Sequence, residues 1–366
     1  MNDKTKIKKL VSIAGSATGV LLVLFSLILC KIAAPLGKRE LADAGLLLNG
    51  RGAFLVIGLI LFVFGFYFYP TLKHTKIIKV LFLLPVLIPF FMTIIIPFIL
   101  GVFYSFTNWN GSSFDKFMGF KNYVDFFRAP EYINSFLMTV LFAAVNVALV
   151  NIIAFFMSLL VTQPLKGRNI YRAGFFIPNL IGGIVLGYVW QFIFNYIFTD
   201  FGAKLAIAAL QKSMLIGPYS ALFAIIIVST WQYAGYIMMI YVTALQGIPD
   251  SVLEASVIDG AGGWIRMRKI IMPMIAHAFT ICIFLTLVNS FKQFDLNFSL
   301  TNGGPGKLFM GKAVMSTELQ ALNIYKTAIV RNDWALGQAK AVVFFILLAV
   351  VSMIQVSVNK KHEEEL

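Results

Sequence analysis

The chain has 366 residues, of which 59% are hydrophobic and only 13% are charged. So apolar a composition excludes an ordinary water-soluble protein and predicts that lipid surrounds most of the chain. Thirty Lys and Arg against sixteen Asp and Glu give a formal net charge of +14. Because basic residues flank membrane spans and meet anionic headgroups, this charge implies membrane lipid, and not nucleic acid, as the partner.

Long apolar runs dominate the sequence. A spanning helix needs about 20 predominantly apolar residues, and continuous runs of this length indicate helices and not barrel strands. The sequence therefore predicts an all-α membrane protein with about eight transmembrane helices. In chain order, the predicted spans are 10–32, 53–70, 78–104, 135–162, 173–197, 219–246, 273–294 and 337–358. The first run lacks an obvious small-residue cleavage site, so it is predicted to be a retained anchor.

Cations predict how the chain is oriented. If Met1–Lys9 is cytoplasmic, the short basic segments 73–79, 166–172, 266–269 and 360–361 are cytoplasmic as well. Lys and Arg also occur on the opposite side, but there they are spread through longer segments that contain Asp and Glu. Because dense cations next to spans favour the inside, both termini are predicted to be cytoplasmic.

Two segments outside the spans have features of their own. Residues 117–127 mix aromatic and polar side chains at irregular spacing, which predicts an interfacial segment. Residues 205–210 are apolar but too few to cross a membrane. We expect them to form a re-entrant or surface helix on the outer side.

The longest predicted cytoplasmic loop between core spans, residues 248–273, combines helix signals with a glycine turn. Pro249 followed by Asp250 marks a helix start, and Glu254 stands where a carboxylate suits the helix dipole. Gly260 permits a sharp turn before the amphipathic stretch 264–271. Two short helices across the membrane face are predicted. By itself, such a loop is also typical of an interfacial anchor held by anionic lipid.

Six residues of this loop resemble the EAA loop of binding-protein-dependent ABC importer permeases: Glu254, Ala255, Ser256, Asp259, Gly260 and Ala261. Ser256 replaces the usual alanine, a conservative departure. In that family the loop forms coupling helices that dock in a cleft of the cytoplasmic ATPase. The resemblance covers about 75–358 and includes sugar-permease elements at Phe120–Tyr123, Phe176–Pro178 with Trp190, and Leu300–Pro305.

The resemblance implies an architecture and a set of partners. It implies a six-helix permease core at 75–358, preceded by two additional helices at 1–74 as in the larger membrane subunit of maltose transporters, and followed by a cytoplasmic tail at 359–366. It further implies a prokaryotic cell-membrane subunit that translocates a sugar or oligosaccharide delivered by an extracytoplasmic binding protein. The implied partners are a second permease subunit and two cytoplasmic ATPase subunits. The short 105–134 segment departs from the maltose-type subunit, which has a large external domain there.

The sequence contains no pattern typical of catalysis or nucleotide binding. It has no G-x-x-x-x-G-K-[ST] run, no H-E-x-x-H pair and no C-x-x-C. We therefore expect a transport subunit and not an enzyme, with no cofactor and no metal in this chain. ATP and Mg are expected on the partner ATPase.

Polar side chains on three predicted spans indicate a substrate site. Polar residues within spans normally face the bundle interior, and a sugar needs neutral donors, acceptors and an aromatic plate. By helical spacing and by the resemblance, the predicted substrate-binding residues are Asn179, Gly183, Ser229, Gln232, Tyr233, Thr286, Ser290 and Gln293. The alternative is that these groups only bind helices to one another. Lys292 and Asp295 are interpreted either as an ion pair or as snorkelling side chains.

Three other functions remain possible from the sequence. A glycerol-phosphate-type ABC permease belongs to a close branch of the same family. A self-contained secondary transporter would need intramembrane carboxylates or histidines, which the core spans almost lack. A membrane scaffold that transports nothing is the third possibility. Recovery of an ATPase with the purified chain would distinguish the importer from the last two.

Overall fold

The computed structural model describes residues 3–33, 50–67, 75–164, 166–208 and 210–364. The chain divides into two compact units, Met1–Ile99 and Leu100–Leu366. The predicted division at residue 74 into additional helices and a permease core remains a prediction. The end of the predicted span 53–70, residues 68–70, lies outside the described residues.

Two helices of the first unit are packed through glycines. Helix α1 (Asp3–Ala33) lies against α2 (Arg51–Tyr67). A Cβ atom on Gly19 would come within 2.4 Å of the Phe62 backbone nitrogen, so only glycine permits this approach. Small residues that let two backbones approach closely are typical of helix pairs in lipid.

The third predicted span is one long helix of three parts. Helix α3 (Thr75–Phe90) continues through a π-helical turn (Phe91–Ile95) into α4 (Ile96–Tyr104). Pro85 and Pro89 lie inside α3. A proline removes a backbone hydrogen bond from a helix, and a π-helical turn is one of the local adjustments that accommodate it in membranes.

The second unit contains the remaining helices and one hairpin. In chain order these are α5 (Lys121–Phe127), α6 (Pro130–Thr162), α7 (Arg168–Leu180), α8 (Gly183–Phe192), α9 (Phe198–Lys204), α10 (Pro218–Gln246), α11 (Asp250–Ile258), α12 (Gly263–Arg266), α13 (Met272–Met274), α14 (Ala276–Phe291), α15 (Asp295–Leu300), α16 (Gln320–Tyr325) and α17 (Trp334–Glu364). Strands β1 (Gly306–Phe309) and β2 (Lys312–Met315) pair antiparallel, with Gly306 opposite Met315. π-Helical turns extend α8 at Ile193–Ile197, join α12 to α13 at Met267–Ile271 and extend α16 at Lys326–Val330.

Helix α10 is the centre of this unit. In the apolar stretch of α10, 61% of the residues are buried, compared with 6% in the apolar stretch of the span Phe82–Tyr104. One half of α10 packs with α6, α8 and α15 around Phe142, Leu186 and Leu300. The other half packs with α6 and α14 around Val150 and Cys282. The core is therefore a layer of helices on both sides of α10.

Six helices of the described residues are long and apolar enough to cross a membrane. A seventh span results if Gly263–Met274 and Ala276–Phe291, which are bent by 70°, are counted as one. The remaining predicted span corresponds to the apolar helix Arg51–Tyr67, which has 17 residues. The all-α class is confirmed, whereas the count of eight spans is not.

The prediction of a single fifth span at 173–197 was wrong. Helix α7 ends at Leu180 and α8 begins at Gly183, so the chain is unwound at Ile181 and Gly182. Neither unwound residue is helical, with ψ angles of 126° and 136°. The crossing candidate is Gly183–Lys204.

The surface helix predicted at 205–210 is also absent from the described part of that stretch, which forms turns. Ala206 has a φ of +52°, which a right-handed helix does not allow. The chain folds back here so that Leu210 lies over Gly202, where a Cβ would come within 2.5 Å of the Leu210 carbonyl carbon.

The predicted aromatic segment 117–127 contains a short helix, α5. Phe126 is buried against Tyr132 and Ala339, so α5 docks on α6 and α17, while Phe117 and Phe120 remain exposed. Exposed and anchored rings in one segment agree with an interfacial position.

Candidate functional site

The unwound residues between α7 and α8 are held by a predicted site residue. Gln232 of α10 donates from Nε2 to the carbonyl oxygen of Ile181 at 3.1 Å, and its side chain is buried. Without this bond, the Ile181 carbonyl at the break would lose a partner that the helix no longer supplies. The break and α10 are therefore joined at Gln232.

Gly183 brings α15 to the same place. A Cβ on Gly183 would come within 2.8 Å of the Asp295 Cβ, so the glycine permits close packing of α8 on α15. Ser299 of α15 donates to the Gly183 carbonyl at 3.3 Å. Gln293 is buried two residues before Asp295. The break thus brings together two predicted site residues, Gln232 and Gly183, with Asp295 of α15.

The other predicted residues near the break differ in burial. Ser229 is 1% exposed, and its hydroxyl has no hydrogen-bond partner. Asn179 and Tyr233 are half-buried. A buried hydroxyl without a partner is uncommon, and that of Ser229 is a donor that no neighbouring group of the described residues uses.

Thr286 and Ser290 belong to a different environment. Both are buried, and each accepts a hydrogen bond from an asparagine of α6: Asn151 Nδ2 to Thr286 Oγ1 at 2.9 Å, and Asn146 Nδ2 to Ser290 Oγ at 2.9 Å. This geometry favours the helix-packing alternative for these two residues. The sequence reasoning missed both asparagines, although two amides inside an apolar span were a usable signal.

The ion pair considered for Lys292 and Asp295 does not form. Both side chains are exposed, and neither belongs to the ion pairs among the described residues.

The sequence reasoning also missed a cluster of buried charged and polar side chains between α16 and α17. Lys340 lies in the predicted span 337–358, is 3% exposed, and donates to Asn323 Oδ1 and Thr327 Oγ1, both at 2.8 Å. Asn323 in turn donates to Glu318 at 2.6 Å, and Lys326 pairs with Glu318 at 3.3 Å. Because each charge has a partner, the cluster fixes α16 to α17 and leaves no buried ion free for transport.

A groove of about 750 Å³ lies beside α7. None of the eight predicted substrate-binding residues lines it. Its apolar lining comes from α6, α7 and α10 and includes Ile153, Phe175, Pro178, Trp231 and Gly235.

The predicted coupling loop folds as two helices with a glycine turn, as expected. Helix α11 ends in a Schellman motif: Ala261 N–H donates to Ser256 O at 2.9 Å and Gly260 N–H to Val257 O at 3.0 Å. Gly260 has a φ of +75° and therefore occupies the left-handed region. Ser256 is buried and donates to Leu253 O within its own helix, whereas Glu254, Ala255 and Asp259 are exposed.

The loop displays apolar side chains. Ile258 is 86% exposed and Trp264 is 74% exposed, one on each side of the turn at Gly260. Exposed large apolar groups that cluster on one element indicate an interaction surface. The second loop helix then meets α14 at a 70° bend at Ile275.

Comparison with known proteins places this architecture in a family. The family model described as "Binding-protein-dependent transport system inner membrane component" matches residues 151–363. The chain belongs to this family. All eight predicted substrate residues and all six predicted coupling residues lie within the matched range.

Three relatives show the breadth of the permease family. AmyD of Thermoanaerobacterium thermosulfurigenes, a probable starch degradation products transport system permease protein, is 41% identical over 78% of this chain and 95% of its own. The sn-glycerol-3-phosphate permease protein UgpA of Rhizobium meliloti is 28% identical over 64% of this chain and 77% of its own. A bacterial alginate ABC transporter, crystallised with a periplasmic protein bound to alginate pentasaccharide, has a chain of the same fold, with a TM-score of 0.68, 16% identity, and coverage of 80% of this chain and 97% of its own.

These comparisons establish what kind of molecule the permease is. It is a multi-pass component of a prokaryotic cell membrane, it works in a binding-protein-dependent system, and it is a transport subunit and not an enzyme.

Proposed function

We propose that this permease translocates a sugar or oligosaccharide through a site at the broken fifth span. The meeting of Gln232 and Gly183 at the unwound Ile181–Gly182 segment, with Gln293 buried two residues before Asp295, carries the proposal. Transporter sites are typically formed where a discontinuous helix exposes backbone groups at a bundle interior. Similarity to AmyD, whose name refers to starch degradation products, supports a carbohydrate as the substrate.

The substrate contacts proposed for the site are neutral. Asn179, Ser229, Gln232, Tyr233 and Gln293 supply amides, hydroxyls and one ring, which suit sugar hydroxyls and an apolar sugar face. Gly183, Thr286 and Ser290 complete the predicted set, and their packing contacts make them the weakest candidates.

The glycerol-phosphate alternative fits the site less well. Recognition of a phosphate group generally employs Arg or Lys. A charged side chain that packs at the break is instead the carboxylate Asp295, whose Cβ lies against Gly183. A carboxylate at this point would repel a phosphate, and identity to UgpA is lower than to AmyD.

A secondary transporter is disfavoured by the same reasoning. Ion-coupled transport needs a titratable or ion-binding group within the spans. Lys340 is such a group, but Asn323 and Thr327 already bind its ammonium, and the described residues contain no cluster of His, Cys, Asp or Glu that could hold a metal ion.

The coupling loop supplies the second half of the proposal. Two partner ATPase subunits would bind ATP and Mg, and one would receive the loop. Its contact region would be Glu254, Ala255 and Ser256 of α11 with the turn Asp259, Gly260 and Ala261. Ile258 and Trp264 are the apolar contacts in this assembly because they are the most exposed apolar side chains around the turn. A second permease subunit completes the membrane part, and an extracytoplasmic binding protein delivers the sugar.

Reconstituted uptake tests the substrate and the site together. The complex would be purified with its ATPase and binding protein, placed in liposomes, and offered labelled maltotriose, glucose and glycerol 3-phosphate. We expect ATP-dependent uptake of an oligosaccharide. Gln232→Leu removes a net hydrogen bond of about 1 kcal/mol, so the sugar concentration at half-maximal uptake should rise about fivefold.

A matched control is Gln355→Leu, because Gln355 also donates to a carbonyl, that of Thr280, but away from the break. Uptake confined to glycerol 3-phosphate would reject the carbohydrate proposal. Equal effects of the two glutamine variants would reject the site.

A further inference from the structure

Two polar contacts bind α6 to its neighbours inside the membrane core. In the first, Asn151 donates from Nδ2 to Thr286 Oγ1 of α14 at 2.9 Å and to Val147 O of its own helix at 2.8 Å. Its Oδ1 accepts a hydrogen bond from Tyr241 of α10 at 2.9 Å. Asn151 therefore joins three helices and has every amide hydrogen in use.

The second contact lies farther along the same helices. Asn146 donates to Ser290 Oγ of α14 at 2.9 Å, and Thr230 of α10 donates to Asn146 Oδ1 at 3.4 Å. All of these side chains are buried, from Tyr241 at 0% to Asn151 at 9% exposed. Thr230 directly follows Ser229, one of the proposed sugar contacts.

The two hydroxyls on α14 have no hydrogen to offer a substrate. Thr286 donates to Cys282 O at 2.7 Å and Ser290 donates to Thr286 O at 2.7 Å, while each accepts from its asparagine. A hydroxyl has one hydrogen. Both groups are also buried, with only 3% and 2% of their surfaces exposed.

The spacing of the contacts fixes how α14 is rotated. Thr286 and Ser290 are about one helical turn apart on α14, and Asn146 and Asn151 are about 1.4 turns apart on α6. If α14 rotated about its axis by one residue position, which is about 100°, these hydroxyls would no longer face the asparagines. Because buried amides left without partners are costly, hydrogen bonds resist such a rotation more than apolar contacts do.

We propose that Asn146 and Asn151 are positioning residues that set the rotation of α14, and that Thr286 and Ser290 bind these asparagines and not the sugar. The rotation determines which residues follow on the same face at the end of α14. Just beyond that end, Gln293 is buried, while its neighbour Lys292 is exposed. Only the predicted effect on uptake rests on the proposed transport function.

The rotation can be measured without any substrate. The background chain would carry Cys30→Ser and Cys282→Ala. Either Gln293→Cys or Lys292→Cys would be added to it, and the rates at which the two cysteines react with a membrane-impermeant maleimide would be compared in proteoliposomes. Asn146→Leu with Asn151→Leu should raise the ratio of the rate at 293 to the rate at 292 about threefold or more, since each lost net hydrogen bond weakens the contact by a factor of about 5.

A matched control is Thr243→Val, because the Thr243 hydroxyl donates to Met239 O of its own helix and is exposed. It should leave the ratio unchanged, whereas Thr286→Val should change it in the same direction as Asn151→Leu. An unchanged ratio in the asparagine variants would overturn the proposal.

Uptake of maltotriose gives the second measurement. Thr286→Val should lower the maximal rate while the half-saturating concentration of loaded binding protein stays within about twofold, because no sugar contact is lost. Thr286→Ser keeps the hydroxyl and should restore the rate. If Thr286→Val instead raises the half-saturating concentration and Asn151→Leu does not, the hydroxyl binds sugar and the proposal is wrong. If the wild type carries no maltotriose, the proposed substrate fails, while the labelling ratio still decides the inference.

Discussion

At the level of single residues, substitution of Ser229 distinguishes substrate binding from helix packing. The Ser229 hydroxyl is buried in α10 without a hydrogen-bond partner, which costs free energy unless a partner arrives. Ser229→Ala should therefore leave the melting temperature of the complex unchanged or raise it. If a sugar hydroxyl is the missing partner, apparent affinity for the loaded binding protein should fall about fivefold.

Ser316 provides the control for this prediction. Its hydroxyl is also buried without a partner, but it lies in the loop after β2. Ser316→Ala should have the same effect on stability and none on sugar affinity. A loss of stability in Ser229→Ala with no change in uptake would assign Ser229 to packing.

Helical spacing predicted which residues share a face but not what each face contacts. The set Thr286, Ser290 and Gln293 was predicted to share one helical face, but α14 ends at Phe291, so only Thr286 and Ser290 lie on it. These two are bound to Asn151 and Asn146 because α6 passes over that part of α14. Spacing within one helix carries no information about which neighbour covers it, so the asparagines could not be paired with these hydroxyls from the sequence.

The coupling loop offers the sharpest test at the level of an element. Gly260 has a φ of +75° with no atom within 4 Å of an added Cβ, so a substitution there meets backbone strain alone. Gly260→Val should cost about 1–3 kcal/mol locally and misdirect Ile258 and Trp264. We expect sugar-stimulated ATP hydrolysis and uptake to fall together, while the binding protein still loads its sugar.

Gly262 is a matched control two residues away. It also has open space around an added Cβ, but its φ of −61° and ψ of 160° suit any residue. Gly262→Val should therefore retain uptake and ATP hydrolysis. If both valine variants retain full coupling, the loop is an interfacial anchor, as its sequence alone also allowed.

Elements with local signals were predicted well, and elements set by distant contacts were not. The start of α11 at Asp250 and the turn at Gly260 follow from local chemistry, and both are confirmed. The break at Ile181–Gly182 depends on a hydrogen bond from Gln232, 51 residues later in the chain. Because 173–197 is predominantly apolar, the sequence analysis predicted one helix there. Pro178 with Gly182 and Gly183 a few residues later was nevertheless a signal for an interruption.

At the scale of the whole molecule, apolar surface is the main feature. In the apolar stretch of the span Phe82–Tyr104, only 6% of the residues are buried. Other spans also expose many Leu, Ile and Phe side chains. Such a chain is stable only in contact with lipid or with another membrane subunit. Composition predicted this class reliably because it sums over the whole chain and does not depend on any single contact.

The orientation of the chain remains a prediction that labelling can test. Lys166 stands in the basic segment predicted to be cytoplasmic, and Lys312 lies on the hairpin predicted to be outside; both are exposed. Dense Lys and Arg beside Arg168 favour the cytoplasmic side, because cations next to spans resist translocation. With Cys30→Ser and Cys282→Ala as background, an impermeant maleimide added to intact cells should react with Lys312→Cys and not with Lys166→Cys.

The coupling proposal depends on this result, because Lys166 and the loop at Gly260 are separated by two predicted crossings and so must share a side. Opening the cells should make the Lys166→Cys site reactive, which serves as the control for its accessibility. Reaction of Lys166→Cys in intact cells would place Ile258 and Trp264 outside as well. No ATP-hydrolysing partner could then reach the loop, and the exposed apolar turn would have to bind something other than an ATPase.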